Sequence, residues 1–135
     1  TFNIRKTEQL VNQNPTDPRP LCWFEIPVKD TLRAREFYHE LFGWTYEEFT
    51  EFESDYWTIS TGEGSLIGGF IKDYSDHNRT GVILFVQVEN IQETIHQASK
   101  LGANIVVEES IITKYAGRHA KIMDLDGNTI GLWSK

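Results

Sequence analysis

The chain has 135 residues, of which 39% are apolar, so it is long enough for one domain with a sizeable core. Its 20 Asp and Glu outnumber its 13 Lys and Arg, and this excess of negative charge disfavours nucleic-acid binding, which depends on attraction to phosphates. No apolar run approaches the roughly 18 residues of a membrane span, and no charged-then-apolar leader opens the chain, so we expect a cytoplasmic protein without membrane contact.

The start of the chain is polar and rich in proline, which favours an extended segment. We predict an N-terminal arm over residues 1–19 and a folded domain over residues 20–135. The single cysteine, Cys22, excludes an intramolecular disulfide and a cysteine-based zinc site. Because it lies among apolar residues, we expect an unreactive thiol.

The first half of the domain is predicted to be a strand, a helix and three further strands. Residues 21–28 have the composition of a strand. Asp30 then occupies the position of a helix N-cap, and Gly43 is placed to end that helix. Residues 44–52, 56–61 and 66–71 are predicted strands.

The same order of elements recurs in the second half. Residues 82–88 form an apolar strand, Asn90 and Glu93 match a capping box, and Gly102 is placed to end the helix. Three strands are predicted over residues 104–112, 118–124 and 129–133. The strand-helix units repeat at an offset of about sixty residues, and the last two strands of each half align at about sixty-three. The repeat therefore indicates two copies of one βαβββ unit.

Three segments carry a resemblance to a known family. They are residues 23–30 (WFEIPVKD), Phe-Tyr followed after two residues by Leu-Phe-Gly-Trp at 37–44, and Asp-Leu-Asp-Gly-Asn at 124–128. These resemble the signatures of glyoxalase-like proteins, the vicinal-oxygen-chelate superfamily, over residues 20–135. The resemblance implies an α+β fold of two tandem βαβββ modules, residues 20–72 and 80–135, that form a cupped mixed sheet around a central cavity. It also implies a small-molecule ligand and a homodimer.

Strand alternation assigns side chains to the two faces of this sheet. In residues 82–88, one row is wholly aliphatic and is suited to pack on a helix: Val82, Leu84, Val86 and Val88. The other row, Ile83, Phe85 and Gln87, is then expected to face the cavity. In the first strand the cavity-facing row is Trp23, Glu25 and Pro27.

Metal-dependent members of the family bind a divalent ion through about four side chains, one from the first strand and one from the last strand of each module. The motif places these positions on Trp23, Ile83, Gly68 and Gly131. None of these side chains offers the oxygen or nitrogen donor that such ions need. We therefore expect no metal and no other cofactor, which disfavours glyoxalase I and extradiol dioxygenase chemistry. A slip of one residue would reverse the facing of a strand.

Glu25 is the candidate catalytic residue, because a carboxylate in an aromatic cavity could serve as a general acid or base. The alternative is a structural carboxylate paired with a backbone amide or an Arg. The stretch 47–57 interleaves acids with aromatics, and a solvated hairpin is favoured there over a cation-binding surface. The predicted ligand-binding residues are Trp23, Phe70, Phe85, Gln87, Tyr115, His119 and Trp133.

Two functions fit these features. An aromatic cavity in an acidic chain favours a metal-free, glyoxalase- or bleomycin-resistance-like protein that binds an aromatic or cationic small molecule, such as a sequestering protein of the antibiotic-resistance kind. The alternative is a lyase or isomerase of the glyoxalase-like family that uses Glu25 as its acid or base. A third interpretation places the role of the chain in dimerisation or in contacts of the N-terminal arm.

Overall fold

A computed structural model describes residues 17–51, 55–73 and 81–135. Most of the predicted arm lies outside the described residues, and the domain bounds stay predictions. The described elements are β1 (Leu21–Val28), α1 (Thr31–Phe42), β2 (Thr45–Glu48), β3 (Tyr56–Ser60), β4 (Gly68–Lys72), β5 (Ile83–Gln87), α2 (Ile91–Lys100), β6 (Asn104–Thr113), β7 (Gly117–Met123) and β8 (Thr129–Ser134). Within these ranges, neither helix has the length and apolar character needed to cross a membrane.

All eight described strands join one mixed sheet in the order β2-β3-β4-β1-β5-β8-β7-β6. β1 and β5 lie side by side at the centre and run antiparallel. Each is also paired in parallel with the last strand of its own module, β1 with β4 and β5 with β8. The predicted α+β class with two tandem βαβββ modules is therefore confirmed.

The register of the two central strands confirms the repeat of sixty residues. Phe24 is paired with Leu84, and on either side of this pair Trp23 meets Phe85 and Glu25 meets Ile83. Trp23 and Ile83 are sixty residues apart, and so are Glu25 and Phe85, so the repeat exchanges the two flanking pairs. The two modules are thus related by an approximate two-fold axis that passes between Phe24 and Leu84.

The offset of sixty-three is correct for β3 and β7 but wrong for β4 and β8. Phe24 pairs with Gly68, whereas its equivalent Leu84 pairs with Ile130, so the offset in the last strands is sixty-two. The cause is the hairpin between β3 and β4. Residues 60–67 lie between the paired residues Ile59 and Gly68, whereas only residues 123–129 lie between the equivalent pair, Ile122 and Ile130. One extra residue moves Gly68 to the other face of the sheet.

Capping residues fix the start of both helices as predicted. The Asp30 carboxylate accepts a hydrogen bond from the Arg33 backbone N–H at 3.0 Å, and the Asn90 side chain accepts one from Glu93 N–H at 3.0 Å. Both helices pack on the same face of the sheet. Phe24 contacts Trp44 just after α1, Val86 packs against the core of α2, and strand alternation places Phe24 and Val86 on one face.

The helix-facing row of β5 is only half covered. α2 packs on the end of the sheet formed by β6, β7 and β8, where Val88 and Leu132 join its core with partly buried Val86. α1 packs on β2 and β4. Val82 and Leu84 are exposed, so the prediction that they pack on a helix is wrong.

Candidate functional site

The candidate site lies on the face of the sheet opposite the helices, where the resemblance predicts four positions for metal ligands. Three of the residues predicted at these positions, Trp23, Ile83 and Gly131, lie on this face. The fourth is Gly69 rather than Gly68, because Gly69 is the residue paired with Glu25 as Gly131 is paired with Phe85. The prediction for Gly68 is therefore wrong, although a glycine occupies the position in either case.

Neighbouring side chains fill the space above both glycines. A Cβ atom added at Gly69 would overlap the Tyr56 hydroxyl, and one added at Gly131 would lie 2.5 Å from Phe85 Cε2. Both separations are well inside van der Waals contact. The absence of a side chain at these positions is what allows Tyr56 and Phe85 to lie flat against the sheet.

A chain of polar contacts links the two modules on this face. Trp23 Nε1–H donates a hydrogen bond to the Tyr56 hydroxyl at 3.0 Å, and that hydroxyl donates to Glu25 Oε2 at 3.1 Å. From the second module, Lys121 Nζ donates to Glu25 Oε1 at 3.3 Å. We call these four residues the Glu25 cluster.

The Glu25 cluster is almost closed to solvent at its centre. Glu25 is 7% exposed and Tyr56 is 4% exposed. A buried carboxylate is stable only with a counter-charge or with hydrogen bonds, and Lys121 and Tyr56 provide both. These contacts are of the kind expected for a structural carboxylate, with Lys in place of the predicted amide or Arg.

Tyr56 is held in its protonated form. Burial raises the pKa of its phenol, and the adjacent Glu25 carboxylate raises it further. The phenol therefore keeps the proton that it donates to Glu25 and accepts the Trp23 N–H through its oxygen.

His119 lies beside the Glu25 cluster, two residues before Lys121 on the same face of β7. It is paired across the sheet with Trp133. Burial lowers the pKa of the imidazole, and the Lys121 charge lowers it further, against an opposing effect of Glu25. His119 is therefore neutral near pH 7 and can offer one N–H donor and one nitrogen acceptor.

The structure brings most of the predicted site residues onto this face. Their positions follow from strand register and from the contacts given above. The residues on the face are Trp23, Glu25, Phe85, Gln87, His119 and Trp133. The Trp133 indole N–H donates to the Ala116 carbonyl at 2.7 Å, which ties β8 to the turn before β7.

Two predicted ligand contacts lie elsewhere. Phe70 is fully buried on the helix side, with its ring centroid 5.5 Å from those of Tyr38 and Tyr46. The prediction that Phe70 lines the cavity is therefore wrong, and the extra hairpin residue is the reason. Tyr115 lies in the turn between β6 and β7 and is 84% exposed, with Lys114 over its ring. Its ring has no contact with the Glu25 cluster among the described residues.

Sequence reasoning missed Tyr56 and Lys121. Tyr56 belongs to the stretch interpreted as a solvated hairpin, and that interpretation is wrong for this residue, which is buried. Lys121 could have been found, because it alternates with His119 in a strand that was predicted. No local signal, however, placed Lys121 next to Glu25, which is 96 residues away in the chain.

The side chains at the predicted metal positions do not fit a divalent ion. An indole, an aliphatic chain and two glycines provide no side-chain ligand. Throughout the described ranges, no three residues among His, Cys, Asp and Glu are grouped so that they could hold a metal ion. We therefore assign no chemical step to a metal.

Comparisons with known proteins agree with this architecture. Residues 21–62 match a family model described as bleomycin resistance protein-like N-terminal. Methylmalonyl-CoA epimerase from Mycobacterium tuberculosis has a similar structure, with a TM-score of 0.62 and 18% identity over 84% of this chain and 86% of that chain. A glyoxalase/bleomycin resistance protein/dioxygenase superfamily member from Vibrio splendidus 12B01 is also similar, with a TM-score of 0.60 and 12% identity over 87% of this chain and 100% of that chain.

A larger protein shares the fold in part of its length. The 2,3-dioxygenase LapB from Pseudomonas sp. KL28 gives a TM-score of 0.55 and 10% identity, over 85% of this chain and 42% of that chain. No curated protein matches the sequence. The chain has the vicinal-oxygen-chelate fold of the glyoxalase, bleomycin-resistance and dioxygenase superfamily.

Proposed function

We propose that the protein is a metal-free, small-molecule-binding member of this fold and that the ligand lies on the face that carries the Glu25 cluster. The observation that carries the proposal is that the residues at the predicted metal positions have no metal-binding side chains. Gly69 and Gly131 offer no donor atoms, and the Tyr56 and Phe85 side chains occupy the space above them. A ligand on this face therefore meets side chains rather than an ion.

The composition of the face supports binding. Small-molecule sites are mostly apolar, with a few polar groups that fix orientation. Trp23 and Trp133 are half-buried and provide partly accessible aromatic surface. Gln87 and His119 lie in the same rows and provide hydrogen-bonding groups.

The contacts of Glu25 favour binding over catalysis. A general base must come within hydrogen-bond reach of the proton that it removes. Glu25 is only 7% exposed, and Tyr56 and Lys121 already contact its two carboxylate oxygens, so little of the carboxylate is open to a substrate. The likeness to an epimerase concerns the fold alone, because the two chains are only 18% identical.

Metal content and ligand binding test the proposal separately. We expect mass spectrometry of the purified protein to find no stoichiometric metal, and nickel, zinc, manganese and iron(II) to leave the unfolding temperature unchanged. A bound ion, or stabilisation by one of these metals, would contradict the metal-free state.

An NMR screen of aromatic fragments tests the location of the site. We expect binders to shift the indole N–H resonance of Trp133 and to lose affinity in Trp133→Phe. The matched control is Trp44→Phe, because Trp44 stacks on Tyr38 on the helix side of the sheet. Equal losses in the two variants, or shifts confined to Trp44, would place the ligand elsewhere.

A homodimer and a cytoplasmic location complete the proposal. Both rest on the resemblance and on the sequence. Sedimentation velocity on the full chain tests the first, with a dimer as the expected result and a concentration-independent monomer as the contrary one.

A further inference from the structure

We propose that Lys121 and His119 together anchor a neutral aromatic ligand through an oxygen acceptor such as a carbonyl or carboxamide. This inference rests on the proposed function and specifies the class of ligand. It replaces the cationic ligand suggested by the acidity of the whole chain.

The first step of the argument is the charge of the site. The Glu25 carboxylate is the acidic group of the cluster, and Lys121 lies 3.3 Å from it. The two charges cancel, so the centre of the face has no net charge to attract a cation. A ligand with a full negative charge would also be disfavoured, because it would lie close to the Glu25 carboxylate.

The second step is the hydrogen-bonding capacity that remains. A Lys ammonium has three donors, and among the described residues Glu25 is the acceptor of one of them. The imidazole of His119 has no hydrogen bond within the described part of the chain. Lys121 and His119 are on the same side of β7, two residues apart, so both can reach one bound group.

The third step is the aromatic surface around these donors. Lys121 Nζ lies 6.0 Å from the centroid of the Phe85 ring, and His119 is paired across the sheet with Trp133. Trp133 is only partly buried, so a flat aromatic ring can stack on its indole while the oxygen of the ligand accepts from Lys121. A carbonyl oxygen takes such a charge-assisted hydrogen bond without adding a second negative charge beside Glu25.

Three probes with one ring system and different charge test the inference: 2-naphthamide, 2-naphthoate and 2-naphthylmethylammonium. Their affinities are measured from the Trp23 and Trp133 indole resonances, with Trp44 and Trp57 on the helix side as internal controls. For the natural sequence we expect 2-naphthamide to bind at least about fivefold more tightly than either charged probe.

Two charge variants should then redirect the preference. Glu25→Gln leaves Lys121 without its counter-charge, so 2-naphthoate should become the tightest probe. Lys121→Gln leaves the Glu25 carboxylate unpaired, so 2-naphthylmethylammonium should take the place of the lost ammonium. Glu25→Gln/Lys121→Gln keeps the site neutral without the Lys donors, so 2-naphthamide should still bind best but more weakly than to the natural sequence. Circular dichroism verifies that each variant is folded, and the double variant remains informative if Lys121→Gln is not.

The outcomes separate this inference from the proposed function. Binding with the same order of affinities in all variants would keep the site and overturn the role of Lys121. Tightest binding of 2-naphthylmethylammonium to the natural sequence would also overturn it. If none of the probes shifts the Trp23 or Trp133 indole in any variant, the small-molecule site itself is wrong.

Discussion

The pairing of Lys121 with Glu25 makes a quantitative prediction for Lys121→Gln. The substitution removes the cation from a carboxylate whose side chain is only 9% exposed. Breaking a fully buried ion pair by removing one partner costs about 3–5 kcal/mol, because the remaining charge is buried without compensation. Lys121 itself is 19% exposed, so water can enter when it is shortened. We therefore expect a loss near the lower end of that range, about 3 kcal/mol in the free energy of unfolding.

Urea denaturation at pH 7 measures this loss. An unchanged dependence of the free energy of unfolding on urea concentration indicates that the folded state is intact. The matched control is Arg118→Gln, three residues earlier in the same strand. The Arg118 side chain is 40% exposed, and its partner Glu109, at 15%, keeps the hydrogen bond from Gln92 when Arg118 is replaced, so the loss should be only about 0.2–1 kcal/mol.

A double variant completes the test. Glu25→Gln/Lys121→Gln leaves no unpaired charge, so it should recover much of the stability lost in Lys121→Gln alone. The reasoning is refuted if Lys121→Gln costs no more than Arg118→Gln. It is also refuted if the double variant is less stable than Lys121→Gln.

Three further substitutions test other parts of the structure. Gly131→Ala should cost about 1–3 kcal/mol of stability because its Cβ overlaps the Phe85 ring, and less in a Phe85→Leu background; equal costs in both backgrounds would contradict the overlap. For His119 the folded-state pKa is lowered, so the unfolded chain gains its proton first as pH falls below about 6.5, and stability decreases until the folded-state pKa is passed. His119→Gln should remove that decrease from the pH profile of urea midpoints, and superimposable profiles would disprove it. Asn90→Ala should cost about 1 kcal/mol by removing the N-cap of α2, whereas Asn90→Ser should retain it; equal stability of the two would contradict the cap.

The candidate site was predictable where a strand had a clear repeat partner. β1 and β5 lie sixty residues apart and each is followed by a helix N-cap, Asp30 or Asn90, so the repeat and strand alternation together predicted the facing of Trp23, Glu25 and Phe85. β4 has no such constraint. The hairpin before it has one more residue than the hairpin before β8, and that residue moved Phe70 from the predicted cavity to the helix-facing core.

By itself, the sequence determined the order of the elements, the helix caps and the two-module architecture. Each depends on local periodicity, on turn and capping residues, or on a repeat that can be counted along the chain. Only the tertiary structure decided that Lys121 neutralises Glu25 and that Tyr56 closes the space above Gly69. These contacts join residues far apart in the chain, and they depend on strand register and side-chain reach across the sheet, which no local pattern encodes.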